Sequence, residues 1–186
     1  MKTTRLTTVT ALILLAGVSV LAATKEQKQA EARKKAAETL QRLYKAQPSA
    51  QAAVKAAAGY AVFNNRGTKI LIGGGGSGKG IAVDNSTKQV TYMKMREIQA
   101  GLGMGVKKFS VVFVFQNKKA LDDFVNGSWD AGGQTTAAAK SGDGGGSLQG
   151  AVAGGPGVWV YQMTDKGLAL ELTVKGTKYS KDDDLN

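Results

Sequence analysis

The pattern closest to a known chemical motif is the glycine run Gly73–Gly80, which reads G-G-G-G-S-G-K-G. Gly73, Gly78 and Lys79 have the spacing of a nucleotide-binding P-loop, in which backbone N–H groups and the lysine hold phosphate. A P-loop also needs Ser or Thr after the lysine, to bind magnesium, and then a helix. Here Gly80 has no hydroxyl, and residues 81–84 are typical of a strand. We therefore predict no nucleotide site, and expect these glycines to allow tight turning or close packing between strands.

Histidine and cysteine are both absent from the 186 residues. Their absence removes Ser-His-Asp and Cys-His nucleophilic catalysis, histidine-ligated zinc and the usual general base at neutral pH. Carboxylate pairs remain, but Asp122-Asp123 falls on a predicted exposed helix face and Asp182-Asp183-Asp184 falls in a charged tail. Both groups are interpreted as solvated charge. We predict a protein that is not an enzyme, with no metal site and no cofactor.

Cations near the N-terminus are the candidate binding residues. The chain has 25 Lys and Arg against 14 Asp and Glu, and its net charge of +11 predicts an anionic partner. Six cations fall on one predicted helix, and we assign them to lipid binding: Lys28, Arg33, Lys34, Lys35, Arg42 and Lys45. Anionic membrane lipids are the expected partners, with envelope proteins as a second class.

The helix that carries these cations is predicted over residues 25–46, where Ala, Lys, Glu and Gln dominate. Leu40, Leu43 and Tyr44 recur at spacings of three and four and form a narrow apolar stripe. Acidic residues four positions before two of the cations are also typical of an ordinary solvated helix face. Two interpretations stay open. The stripe inserts into a membrane, or it packs on the rest of the domain.

The first 23 residues have the pattern of a secretory signal peptide. Lys2 and Arg5 form a charged start, residues 11–21 form an apolar core, and cleavage is expected after Ala22 or Ala23. The apolar run is too short for a comfortable membrane span, and there is no cysteine to carry a lipid anchor. We expect a periplasmic or secreted protein that is peripheral at a membrane. Export argues against a nucleic acid partner.

A second short helix is predicted over residues 49–58, after Pro48, and the period then changes to that of strands. Strands are predicted over residues 59–63, 69–72, 80–84, 88–95, 97–105, 109–115, 134–139, 148–153, 158–163 and 168–174. Asn117 is a typical N-cap for an internal helix that ends at Asn126-Gly127. Residues after 180 are expected to fray. The predicted fold class is α+β, with N-terminal helices packed on a curved, mainly antiparallel, barrel-like β-sheet and one short internal helix.

Several segments, taken in order, resemble the SYLF domain, a lipid-binding module also known from yeast actin-patch proteins. The matching segments are Gly59-Tyr60-Ala61-Val62-Phe63, Gly78-Lys79-Gly80, Ile98 to Gly105, Phe113-Val114-Phe115 with Lys119 to Phe124, Val158-Trp159-Val160-Tyr161 and Gly167-Leu168. The resemblance covers residues 32–179. Together with the signal peptide at 1–23, the predicted domains are a helical segment at 24–58, a glycine-rich SYLF core at 59–180 and a charged tail at 181–186.

The resemblance implies a non-catalytic binding module. Eukaryotic relatives imply phosphoinositide binding through a basic, amphipathic N-terminal helix, and actin binding in some members. For an exported protein, the property expected to carry over is affinity for anionic phospholipid surfaces. The alternative is a structural or protein-interaction domain of the cell envelope that has no lipid ligand.

Overall fold

The computed structural model describes residues 23–70, 73–100, 105–127, 129–130, 146–169 and 177–186. Within these residues the helices are α1 (Lys25–Ala46), α2 (Ser49–Ala56) and α3 (Lys118–Asn126). The strands are β1 (Gly59–Ile70), β2 (Gly73–Asp84), β3 (Val90–Ala100), β4 (Gly105–Phe115), β5 (Trp129–Asp130), β6 (Val152–Gly155), β7 (Val158–Thr164), β8 (Gly167–Ala169) and β9 (Thr177–Lys181). A 3₁₀ turn covers Gly146–Leu148.

Local sequence signals account for the helix ends. The Thr24 hydroxyl accepts a hydrogen bond from the Gln27 amide, and the Gln27 side chain accepts one from the Thr24 amide, so α1 begins with a capping box. α1 ends at Ala46, two residues before Pro48. The Asn117 side chain accepts a hydrogen bond from the Ala120 amide at the start of α3, as its N-cap position predicted.

One antiparallel sheet contains all the described strands. Its order is β5-β9-β3-β2-β1-β4-β7-β6, and β8 pairs with β7. The long hairpin of β1 and β2 pairs Gly59 with Asp84 at one end and Ile70 with Gly73 at the other. β4 lies between β1 and β7, a central position that suits a strand with apolar residues on both faces.

The sheet has a buried core on each side. On the aromatic side, α3 covers a cluster of rings, in which Phe63 and Tyr179 have centroids 4.7 Å apart and Phe113 and Phe124 are 4.9 Å apart. On the opposite side, which we call the helix-facing side, residues of α1 and α2 pack on the sheet. The predicted α+β class, with N-terminal helices on a curved antiparallel sheet and a short internal helix, is confirmed.

Two segments that were not predicted as strands are strands in the structure. The prediction of separate strands over residues 59–63 and 69–72 is wrong because β1 is continuous from Gly59 to Ile70, and the glycine run belongs to β2. The single strand predicted over 97–105 is also wrong, since residues 97–100 end β3 and Gly105 begins β4. Register with the neighbouring strands holds these segments extended, although their own residues favour turns.

Other predicted segments have mixed outcomes. The strand over 158–163 is confirmed as β7, whereas residues 148–153 form the end of the 3₁₀ turn and the start of β6. The strand predicted over 134–139 and most of that over 168–174 lie outside the described residues. The expectation that the tail frays is wrong. Leu185 is buried in the core of the helix-facing side, and the Asn186 side chain bonds to both the backbone N–H and the carbonyl of Tyr92.

Candidate functional site: a basic cleft beside the N-terminal helix

α1 crosses the strands on the helix-facing side of the sheet. Near its start, the Gln29 side chain donates to the Leu185 carbonyl at 2.7 Å. In its middle, the Arg33 Nε donates to the Tyr92 hydroxyl of β3 at 2.6 Å. Further along, the Thr39 hydroxyl donates to Asn64 of β1 at 2.9 Å, and Arg42 donates to a carbonyl at the end of β7. The helix is therefore fixed across the sheet from the tail that follows β9 to the end of β7.

Strand register sorts the helix-facing side chains into rows. The row under the helices is apolar and buried: Tyr92, Ile81, Val62, Val112 and Tyr161. Two residues along each strand, the next row is mostly polar or basic: Lys94, Lys79, Asn64, Ser110 and Met163. Arg96, Ser77 and Lys108 occupy the row after that. Because side chains two apart share a face, the helix-facing side changes from apolar to basic within two residues of each strand.

An open cleft of about 890 Å³ lies between one flank of α1 and these basic rows. Seven cations line it: Lys28, Lys35, Arg42, Lys79, Lys94, Arg96 and Lys108. Four carboxylates also line it: Glu31, Asp165, Asp182 and Asp184. Cations outnumber carboxylates, and a concave wall of like charge concentrates the field on an incoming anion.

The structure brings three of the six predicted lipid-binding residues into this cleft. Lys28, Lys35 and Arg42 follow one another at intervals of seven, which on a straight helix displaces each from the last by only about 20°. They therefore share one flank of α1 and face the same side. These three residues supply the positive charge that α1 contributes to the site.

The other three predicted residues point elsewhere. Arg33 binds the Tyr92 hydroxyl, and its guanidinium carbon lies 5.5 Å from the centre of that ring, which fixes the helix to β3. Lys34 is exposed and lies 4.0 Å from Glu38 on the helix surface, and Lys45 is exposed near the helix end. None of the three lines the cleft.

The apolar stripe of α1 faces the protein. Leu43 is fully buried, and the partly buried Leu40 and Tyr44 pack against the same core. Burial of Tyr44 also raises the pKa of its hydroxyl. The stripe packs on the sheet as one of the two interpretations predicted, so membrane insertion of this stripe would require α1 to leave the sheet.

Sequence reasoning did not assign the four sheet cations, Lys79, Lys94, Arg96 and Lys108, to the site. A weak signal existed, because Lys94 and Arg96 are two residues apart and must share one face of their strand. Which face that is, and that it meets Lys79 of the glycine run, depends on pairing between β2 and β3. Lys79 therefore faces the candidate anion site without being part of a P-loop.

The sheet cations are placed against the ordinary rule for cross-strand pairs. Lys79 and Lys94 are directly opposite one another in β2 and β3, where like charges repel. Carboxylates of the tail compensate in part, because Asp182 lies 3.6 Å from the Lys79 ammonium and Asp183 lies 3.9 Å from that of Lys94. On α1, the Lys35 ammonium lies 2.5 Å from Glu31 and holds the pKa of that carboxyl below its ordinary value.

In the described part of the chain, no helix has the length and apolar character required to cross a membrane. No group of three or more acidic side chains in the same residues is placed to hold a metal ion.

Comparison with known proteins finds a family model and a curated relative that are similar to this chain. Residues 96–186 match the family model Ysc84, described as "Las17-binding protein actin regulator". The chain is also similar to Beta cell expansion factor A of Aeromonas veronii, with 35% identity over 144 residues, which cover 77% of this chain and 53% of that protein. The chain thus spans about half the length of this curated relative. These matches confirm the resemblance to the SYLF family found in the sequence, and Ysc84 is the matching model, over residues 96–186.

Proposed function

We propose that the protein is a peripheral binding module for anionic lipid surfaces and docks through the basic cleft. Similarity to the SYLF family supports a lipid- or actin-related binding module, and that family is known as a binding domain rather than an enzyme. The observation that carries the proposal is the convergence of three helix cations with four sheet cations in one cleft.

Electrostatics supplies the affinity in this proposal. A Lys or Arg near an anionic membrane surface is worth about 1 kcal/mol, and the attraction fades beyond a Debye length of about 8 Å at physiological salt. The seven cleft cations, partly offset by four carboxylates, would therefore hold the protein reversibly and in a salt-sensitive manner. The packed stripe of Leu40, Leu43 and Tyr44 favours docking at the headgroups over insertion by α1.

Liposome co-sedimentation tests the proposal with a matched pair of variants. The cleft variant carries Lys28→Glu, Lys35→Glu and Arg42→Glu. The control variant carries Lys34→Glu, Lys45→Glu and Lys55→Glu, which change the net charge equally on exposed residues outside the cleft. We expect the purified protein to bind anionic vesicles but not neutral ones, and to bind less at high salt. The cleft variant should lose at least about tenfold in affinity, and more than the control.

Equal losses in the two triple variants would show that only net charge matters and would reject the cleft as the docking site. Circular dichroism spectra of both variants should match that of the parent, because all six substituted residues are exposed. This control separates loss of binding from loss of folding.

A structural or protein-interaction domain of the cell envelope is the second candidate. The packed apolar stripe favours it, as do the ion pairs that neutralise part of the helix charge, such as Lys35 with Glu31. Failure of the parent protein to bind any vesicle at low salt, together with capture of an envelope protein, would support this candidate over lipid binding.

We also propose that the protein is exported. The support is the charged start, the apolar core and the small residues Ala22 and Ala23 in the first 23 positions. The intact mass of protein recovered from the periplasm or medium should correspond to a chain starting at residue 23 or 24. Recovery of an uncut chain in the cytoplasm would reject export.

A further inference from the structure

Asn64 forms a polar floor in the middle of the basic cleft. It belongs to β1, where its neighbours across the sheet are Lys79 on one side and Ser110 on the other. Asn64, Lys79 and Ser110 all line the cleft. Asn64 is half-buried, and it replaces the apolar side chain that Val62 supplies two residues earlier on the same face.

Two hydroxyl groups set the orientation of the Asn64 amide. Its Oδ1 accepts one hydrogen bond from the Thr39 hydroxyl at 2.9 Å and another from the Ser110 hydroxyl at 2.8 Å. Thr39 is 2% exposed and Ser110 is 6% exposed, so both donors are held inside the fold. A side-chain amide has two acceptor positions on oxygen and two donors on nitrogen. Because Oδ1 serves both hydroxyls, the Nδ2 hydrogens are the donors that the amide presents to the cleft.

Two ammonium groups stand in the same row as this amide. Lys79 is the direct neighbour of Asn64, and Lys94 is the direct neighbour of Lys79. The carboxylate of Asp182, only 7% exposed, lies 3.6 Å from the Lys79 ammonium and shows that this part of the row accommodates an anionic oxygen. A neutral N–H donor with two ammonium groups on one side of it suits a tetrahedral oxyanion, because the oxygens of the anion accept hydrogen bonds in several directions.

We propose that Asn64, Lys79 and Lys94 form a subsite for a phosphate group, with the Asn64 amide donating to a phosphate oxygen and the two ammonium groups neutralising its charge. Thr39 and Ser110 are positioning residues, since they orient the amide without reaching the ligand. The proposal deepens the proposed lipid function by naming the chemical group bound. It rests on that function only for the source of the phosphate, which is a lipid headgroup or the free ion.

Titration with inorganic phosphate, followed by NMR, tests the subsite without a membrane. We expect the side-chain amide signals of Asn64 to shift saturably with phosphate, and not with sodium chloride at equal ionic strength. Asn64→Asp retains acceptors for both hydroxyls but removes the two donors and adds a negative charge. It should weaken phosphate binding at least about tenfold, as expected for loss of a hydrogen bond to a charged group.

Matched variants separate the subsite from general charge effects. Asn126→Asp makes the same chemical change at an exposed residue of α3 that does not line the cleft, and it should leave phosphate binding unchanged. Thr39→Val should weaken phosphate binding because it removes one of the two hydrogen bonds that orient the Asn64 amide. Thr39→Ser keeps the hydroxyl and should restore phosphate binding. If Asn64→Asp does not fold, Lys79→Gln with Lys94→Gln replaces it, and Lys119→Gln with Lys178→Gln is the exposed control outside the cleft.

Vesicles containing phosphatidic acid provide the second arm. If the protein binds both phosphate and vesicles, and Asn64→Asp weakens both, the subsite and the lipid function are both supported. If it binds free phosphate through Asn64 but does not bind vesicles, the subsite is supported and the lipid function is rejected. If the protein binds vesicles but not free phosphate, and Asn64→Asp weakens vesicle binding, the lipid headgroup is the source of the phosphate. Vesicle binding that is unaffected by Asn64→Asp overturns the subsite while the lipid function stands. Absence of binding in both arms overturns both.

Discussion

Asp84 shows how a single residue can combine a turn with an ion pair. It ends β2, and its carboxylate accepts hydrogen bonds from the Ser86 amide at 2.8 Å, the Ser86 hydroxyl at 2.6 Å and the Thr87 amide at 3.1 Å. The Lys118 ammonium of α3 lies 3.5 Å away. The Ser86 bonds, the Thr87 bond and Lys118 together hold the pKa of this carboxyl well below its ordinary value of 3.8.

We predict that Asp84 stabilises the fold above its ordinary pKa and loses this effect in acid. Its pKa is lower in the folded state than in the unfolded state, so the contribution is present above pH 3.8 and declines as the pH falls toward the folded-state pKa. Asp84→Asn should lower the free energy of unfolding at pH 7, and the difference from the parent should shrink below pH 3.8. Urea unfolding of the parent and of Asp84→Asn, at pH 7 and below pH 3.8, measures this difference in the free energy of unfolding. Asp123→Asn is the control, and a difference independent of pH would contradict the prediction.

At the scale of the elements, the helical conformation of α1 was predicted from its own residues, whereas the strand conformation of the glycine run in β2 was not. The helix was predicted because its apolar stripe has a helical period, and its capping box marks the start at Lys25. The glycine run was expected to turn or to allow close packing, and in the structure it extends β2 along β1 and β3. Pairing with β1 and β3 holds these glycines in a strand, because their own conformational preference does not.

Gly80 is a position of close packing in this run. A Cβ atom there would overlap the carbonyl oxygen of Val62 in the paired strand and the ring of Phe63. We predict that Gly80→Ala destabilises the protein by about 1–3 kcal/mol, since overpacking displaces backbone and ring. Ser77→Ala, on the same strand but exposed, should change the free energy of unfolding little. A Gly80→Ala protein as stable as the parent in urea would show that the strands can separate without cost.

At the scale of the whole molecule, the cleft is assembled from segments far apart in the chain. α1, five neighbouring strands and the tail that follows β9 all contribute. The tail is held in place because Leu185 is buried and the Asp182 amide donates to the Tyr92 carbonyl. Its carboxylates therefore stand beside the cations that an incoming anion would contact.

We predict that removing the charge of Asp182 strengthens binding to anionic vesicles. Asp182→Asn is nearly isosteric and leaves Lys79 without this counter-ion, so affinity at low salt should rise by about fivefold, the equivalent of 1 kcal/mol per charge. Asp123→Asn makes the same change in net charge on α3, outside the cleft, and should have a smaller effect. Weaker or unchanged binding by a folded Asp182→Asn protein would contradict a direct role for the tail at the site.

The sequence by itself determined the fold class, the three helices and three of the cleft residues. Helical and strand periods are local, so α1 and β7 could be recognised from their own residues, and an interval of seven places Lys28, Lys35 and Arg42 on one flank. Only the tertiary structure decided that this flank faces the sheet and that the row of Lys94, Lys79 and Asn64 lies beside it. It also decided that carboxylates of the tail lie next to the cations of this row. These features depend on register between distant strands, where a shift of one residue would turn every side chain to the other face.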